Sequence, residues 1–137
     1  MELLRCKARL SVLWVFMAVC MSAFMFLMFM MPDVLKELMA GRMEGMQLSE
    51  GMKVLYLLWW LIPLVMAVLC LTLTGSANRW LNFVLGILVA LLMIFDIASH
   101  LAAGEAAPVA LWLIGIAMIV VPAFIAWFGW KLPKAEA

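Results

Sequence analysis

The chain has 137 residues, 70% hydrophobic and 12% charged, a formal net charge of +1 and a mean hydropathy of +1.22. Soluble domains carry roughly 45–50% apolar and about 25% charged residues, and disordered chains combine low hydrophobicity with high net charge, so both classes are excluded. The near-neutral balance carries no nucleic-acid signature, and the apolar runs take up the length a separate soluble catalytic domain would need.

A helix crosses a hydrocarbon core of roughly 30 Å with about 20 apolar residues. Leu10 to Pro32, Val54 to Asn78 and Ala106 to Trp130 contain no Asp, Glu, Lys or Arg; a fourth run starts at Trp80 and meets its first charge at Asp96. These runs predict an all-α integral membrane protein, a four-helix antiparallel bundle forming a single domain over 1–137, with spans near 10–31, 54–74, 79–102 and 108–130. The runs are continuously apolar and do not alternate, which argues for helices over a barrel.

Before the first span stand Arg5, Lys7 and Arg9. The run that follows exceeds the 7–15 residues typical of a signal peptide, and no A-x-A-like site closes it, so it is expected to remain as span one. Between spans one and two, Pro32 and Asp33 open a short amphipathic helix. Val34, Leu35, Leu38 and Met39 share one side, Asp33, Lys36 and Glu37 lie on the other, and Gly41 is the stop. That helix is expected to lie in the membrane interface. Gly75 suits a helix end and Asn78 a cap for span three, while Pro108 opens span four after a short connection at 103–107. Short connections predict that consecutive helices are antiparallel neighbours.

Trp and Tyr gather at membrane interfaces. An up-down-up-down path puts Trp14, Trp80, Trp127 and Trp130 near one surface and Tyr56, Trp59, Trp60 and Trp112 near the other. Basic flanks set orientation. Arg5, Lys7, Arg9, Arg79, Lys131 and Lys134 lie on the face of the termini, against Lys36, Arg42 and Lys53 opposite, where Glu44 and Glu105 also fall. A multi-pass protein of the bacterial inner membrane, with both termini cytoplasmic, is expected.

Within the spans, Gly86 and Ala90 form a small-xxx-small pair, and Gly115 thins span four, which permits close helix packing. Pro63 and Pro122 free the carbonyls of Trp59 and Met118, as a kink met by packing or water, or as a hinge or cavity lining. Asp96 and His100, four residues apart, project from one helical face. An ionisable pair in a span points to a proton relay or cation site. Its depth near the outer boundary favours an anchor, with Asp96 turned to the bundle or loop and held by His100, Lys36, Arg42 or Lys53. Met17, Met21, Met25 and Met28 make a stripe on span one, and thioethers bind Cu(I), with Met39, Met43 and Met46 as a scavenging site in the loop. Methionine is also a pliable apolar filler. Cys6, Cys20 and Cys70 form no C-x-x-C motif, Ser99 cannot face His100 along a helix, and neither G-x-S-x-G nor H-E-x-x-H occurs. No metal site and no cofactor are expected from these residues.

The stretches Leu10 to Phe16, Leu35 to Gly41 and Asn78 to Asn82, with an end at Trp127 to Lys131, resemble a family of small four-helix bacterial membrane proteins known only as a domain of unknown function. The resemblance spans nearly the whole chain and implies a four-helix bundle without an established activity. Members carry polar or acidic residues in the first helix, around the positions of Cys20, Met21 and Met25. Apolar residues stand there in this chain, so the resemblance brings no ion site to span one. Small multidrug transporters share the size and span number, but need a carboxylate in helix one that is absent here. The expected role is a non-enzymatic membrane subunit, homo-oligomeric or accessory to a larger membrane complex, with membrane lipids and no nucleic acid as partners. The alternatives are a small proton- or cation-linked transporter or channel using Asp96 and His100, and Cu(I) handling by the methionines.

Overall fold

The computed structural model describes residues 2–43, 45–102 and 107–132. Residues 103–106 of the last connection, with Glu105, and the flanking charges Glu44 and Lys134 lie outside the described residues. In chain order the elements are α1 (Glu2–Phe29), α2 (Pro32–Met39), β1 (Arg42–Met43), β2 (Met46–Gln47), α3 (Glu50–Thr72), α4 (Gly75–Ala102) and α5 (Val109–Trp130). The four long helices are each apolar enough to cross a membrane, and α2 is the short helix expected between spans one and two. The small ladder is an addition to the all-α expectation: Arg42 pairs with Gln47 and Met43 with Met46. Gly41 and Gly45, at φ of +71° and +76°, make its turns possible.

The helices overrun the apolar segments. α1 has 28 residues, or about 42 Å at 1.5 Å per residue, because Leu, Arg, Lys and Ala before Leu10 are strong helix formers with nothing to stop them. α3 starts at Glu50, where Ser49 accepts a hydrogen bond from the Met52 amide at 3.3 Å and Lys53 pairs with Glu50 at 2.6 Å. Both prolines lie inside continuous helices and are buried.

α4 packs along α5, and α1 packs against both α3 and α5. α3 and α4 are consecutive and joined by a tight turn, yet they meet sparsely. Adjacency in sequence therefore fails here as a guide to packing. The reason lies in what each helix offers its neighbour. A Cβ on Gly86 would come within 2.7 Å of the Ala126 amide nitrogen and 2.8 Å of the Pro122 carbonyl; one on Gly129 would lie 2.8 Å from the Cβ of Asn82. Two glycines thus let α4 and α5 approach backbone to backbone, and Gly115, against the Ile97 side chain, adds a third close point. Ala90 is buried on the same seam. α3 and α4 carry Leu55, Leu58, Val65, Leu81 and Leu85 along a wide groove between them.

What holds α3 to α4 at the end near the termini is polar. Asn78 sits one turn inside α4, not at its cap, and its amide donates to the Cys70 carbonyl at 2.8 Å and the Leu73 carbonyl at 3.2 Å. These carbonyls close the last turn of α3, so Asn78 caps the preceding helix instead of its own. The Asn82 amide donates to the Asn78 carbonyl and side-chain oxygen at 2.8 and 2.7 Å. Its own oxygen accepts from Trp14 Nε1 at 2.7 Å and Cys70 Sγ at 3.1 Å. Trp14 therefore does not face the lipid interface: it is fully buried, as is Asn82. An indole N–H in an apolar bundle needs an acceptor, and the amide supplies it. Around this layer Leu10, Met17, Cys70 and Ile125 have no exposed surface.

Two predictions follow from this packing. Asn82→Ala leaves the Trp14 and Cys70 donors without their acceptor and should cost about 1–3 kcal/mol, read as a lower unfolding midpoint in detergent; an unchanged midpoint would refute the role of the layer. Gly86→Leu should cost about 3 kcal/mol or more, at the top of the overpacking range, and reduce the yield of monodisperse protein. Normal yield and stability would mean that this face of α4 tolerates a side chain.

Candidate functional site: a chamber at the loop end

The opposite end of the bundle, nearest α2 and the ladder, is looser. A chamber of about 240 Å³ lies between α1, α3, α4 and α5, with β1 contributing Met43. It is lined by six methionines, Met21, Met25, Met28, Met43, Met93 and Met118, and four aromatic residues, Phe24, Tyr56, Trp59 and Trp60. Asp96 and His100 complete the wall. Both also line a second cavity of about 130 Å³ toward α5, together with Phe24 and Met28. The pair thus stands where the two cavities adjoin.

The i, i+4 spacing on α4 does what it dictates. His100 Nε2 and Asp96 Oδ1 are 3.8 Å apart, at ion-pair distance and too long for a hydrogen bond. The His100 and Asp96 side chains remain 33% and 46% exposed, so a ligand can reach them. Among the described residues, Asp96 makes no ion pair to a loop cation; Lys36 pairs with Asp33 and Lys53 with Glu50 instead. Of the partners expected for Asp96, His100 stands at ion-pair distance, and neither Lys36 nor Lys53 pairs with it. Local i, i+3 carboxylates occupy those lysines, and the pair turns toward the cavities. Ser99 donates to the Asp96 backbone carbonyl at 2.7 Å and takes no part in the pair.

On the facing side, Tyr56, Trp59 and Trp60 share one face of α3, at i, i+3 and i+4. Trp60 Nε1 donates to Ser22 Oγ at 3.0 Å, and that hydroxyl donates to the Ala18 carbonyl at 2.9 Å. This tie fixes α3 against α1 beside the chamber. The methionine stripe divides. Met21, Met25 and Met28 line the chamber, whereas Met17 is fully buried in the packed half. Met43, Met93 and Met118 join from other elements. Pro63 and Pro122 line neither of these two cavities and are buried inside α3 and α5.

At the end near the termini, rings and cations form a different cluster. The Arg79 guanidinium lies 4.3 Å from the Trp130 ring and Lys131 Nζ 4.2 Å from the Trp127 ring, with Trp80 edge-on to Trp130. Such contacts suit an interfacial girdle.

Four spanning helices around a layer of buried amides, with a half-open chamber above it, define a small polytopic membrane protein. The sequence profile of the family of unknown function DUF6326 matches residues 4–128, and the chain belongs to that family. No curated protein and no solved structure matches the chain.

The difference between the two ends is measurable. In a chain with Cys6 replaced by Ser, His100→Cys should react with a water-soluble maleimide, whereas Met17→Cys should stay protected until the protein unfolds. Equal labelling of both positions would contradict the closed layer.

Proposed function

We infer that the chain is a non-enzymatic membrane subunit, self-associating or accessory to a larger complex, whose working part is the chamber: it receives a small ligand and does not conduct. What supports this is the close packing of the bundle on the side of the termini, where Trp14, Cys70, Asn78 and Asn82 are buried. Below its methionines lies the layer of Trp14, Cys70, Asn78 and Asn82, in which every amide hydrogen of Asn82 and Asn78 is spoken for. A conducting path needs a lumen that replaces an ion's hydration shell along its length, whereas the side chains around Asn82 among the described residues are packed without exposed surface. With the orientation that the basic flanks indicate, the chamber opens outward.

The second reading, a proton- or cation-linked transporter, draws support from the placement of Asp96 and His100 on the chamber wall. It requires the amide layer to open during each cycle. Proteoliposomes separate the two. We expect proton and alkali-cation flux no higher than in empty vesicles, for wild type and Asp96→Asn alike. Flux in the wild type that disappears in Asp96→Asn would replace the first reading with the second. Purification in mild detergent tests the remaining half of the proposal, and a strictly monomeric species without co-purifying protein would overturn it.

A further inference from the structure

The composition of the chamber indicates what it holds, given that it is a binding site, the reading on which this inference rests. Its volume of about 240 Å³ exceeds the roughly 150 Å³ of a cavity that takes up benzene, so it suits an organic molecule better than a bare ion. Three rings, Tyr56, Trp59 and Trp60, stand on one face of α3, and Phe24 comes from α1. Ring faces carry negative potential and attract cations, most strongly where water is excluded. Asp96, on α4, adds a carboxylate to the lining of the same chamber. His100 leaves the pair with a net negative charge whenever its ring is neutral.

A strongly hydrated cation would find few groups here to replace its water. A weakly hydrated one, carrying its charge on an apolar body, loses little on entry. The methionines then fit the body: thioether side chains are flexible and polarizable, and they adapt to irregular apolar shapes. The same six thioethers come from four elements around a volume of about 240 Å³, and Met17 does not line it. That arrangement disfavours a directly ligated Cu(I) ion, which needs soft ligands in contact with it. There is also a route from the side. Trp59 lines both the chamber and the groove between α3 and α4 on the lateral surface, so the two adjoin at this indole. An amphiphilic cation gathered at the membrane interface would meet this groove first.

The geometry points to a lipophilic organic cation, of the quaternary ammonium class, as the ligand of the chamber, with its charge between the α3 rings and Asp96 and its body among the methionines. The test uses the full chain in lipid nanodiscs at about pH 8, above the ordinary imidazole range. Three probes are titrated calorimetrically against empty nanodiscs: benzyltrimethylammonium; neopentylbenzene, the same shape with carbon in place of the charged nitrogen; and silver(I), a soft cation. We expect saturable binding of the cation at one per chain, weakened about tenfold or more by Asp96→Asn and retained by Asp96→Glu. Neopentylbenzene should bind more weakly and respond to neither change. The comparison of the two organic probes on the wild type needs no variant, so it decides the matter even if Asp96→Asn fails to fold. If neopentylbenzene binds as tightly as the cation, selection by charge is overturned while the chamber stands as a binding site. If neither organic probe binds but silver(I) does at one per chain, the site is a soft-metal site and the inference fails. If none of the three binds, the binding chamber itself is overturned along with it.

Discussion

The side-chain amide of Asn82 is the constraint on which the rest of the bundle depends. Its oxygen takes one donor from α1 and one from α3, and its nitrogen spends both hydrogens on Asn78. From the fourth side, α5 approaches it through Gly129. All four long helices therefore meet at one side chain. An amide buried in an apolar bundle is costly unless each polar atom is paired, and this arrangement of the helices pairs them all. Apolar packing alone would leave the helices freer to slide and rotate, since lipid tails are as apolar as leucine.

That constraint is local to one end of the molecule, and the two ends differ accordingly. Around the amides the side chains are fully buried, and the α4–α5 seam is held backbone to backbone at Gly86 and Gly129. Toward the loop, α3 and α4 meet sparsely, and a groove lined by large apolar side chains lies between them. The chamber is the space that results. The Trp60–Ser22–Ala18 chain of hydrogen bonds holds its α3 wall against α1, so the aromatic face is fixed while the α4 wall carries the charges.

The methionines illustrate how one residue type serves two roles. The chain has 14 among 137 residues, and six of the twelve residues lining the chamber are methionine. Met17, in the closed half, fills space like any core residue. In the chamber the same side chain borders a void, where its flexibility suits an occupant of irregular shape. Met21 and Met118 do both, lining the chamber while buried in the same core cluster as Met17.

The number and approximate position of the spans were legible from sequence alone, because an apolar run of about 20 residues is a property of local composition. So was the Asp96–His100 pair, since i, i+4 spacing on one helix needs no tertiary information. Helix ends were less legible: α1 and α3 continue past the membrane segment wherever the flanking residues favour helix. Two asparagines four apart in a span, Asn78 and Asn82, are a signal of a buried polar contact that sequence reasoning passed over in favour of a cap. Their partners could not be read, because Trp14 lies 68 residues from Asn82 and nothing local connects them. The chamber was likewise invisible, since its lining comes from five separate elements. Hydrophobicity drives each helix into the membrane residue by residue, and so the sequence by itself determines what spans. Which helices touch, and where they part, depends on hydrogen bonds and close approaches between distant residues, and only the tertiary structure decides those.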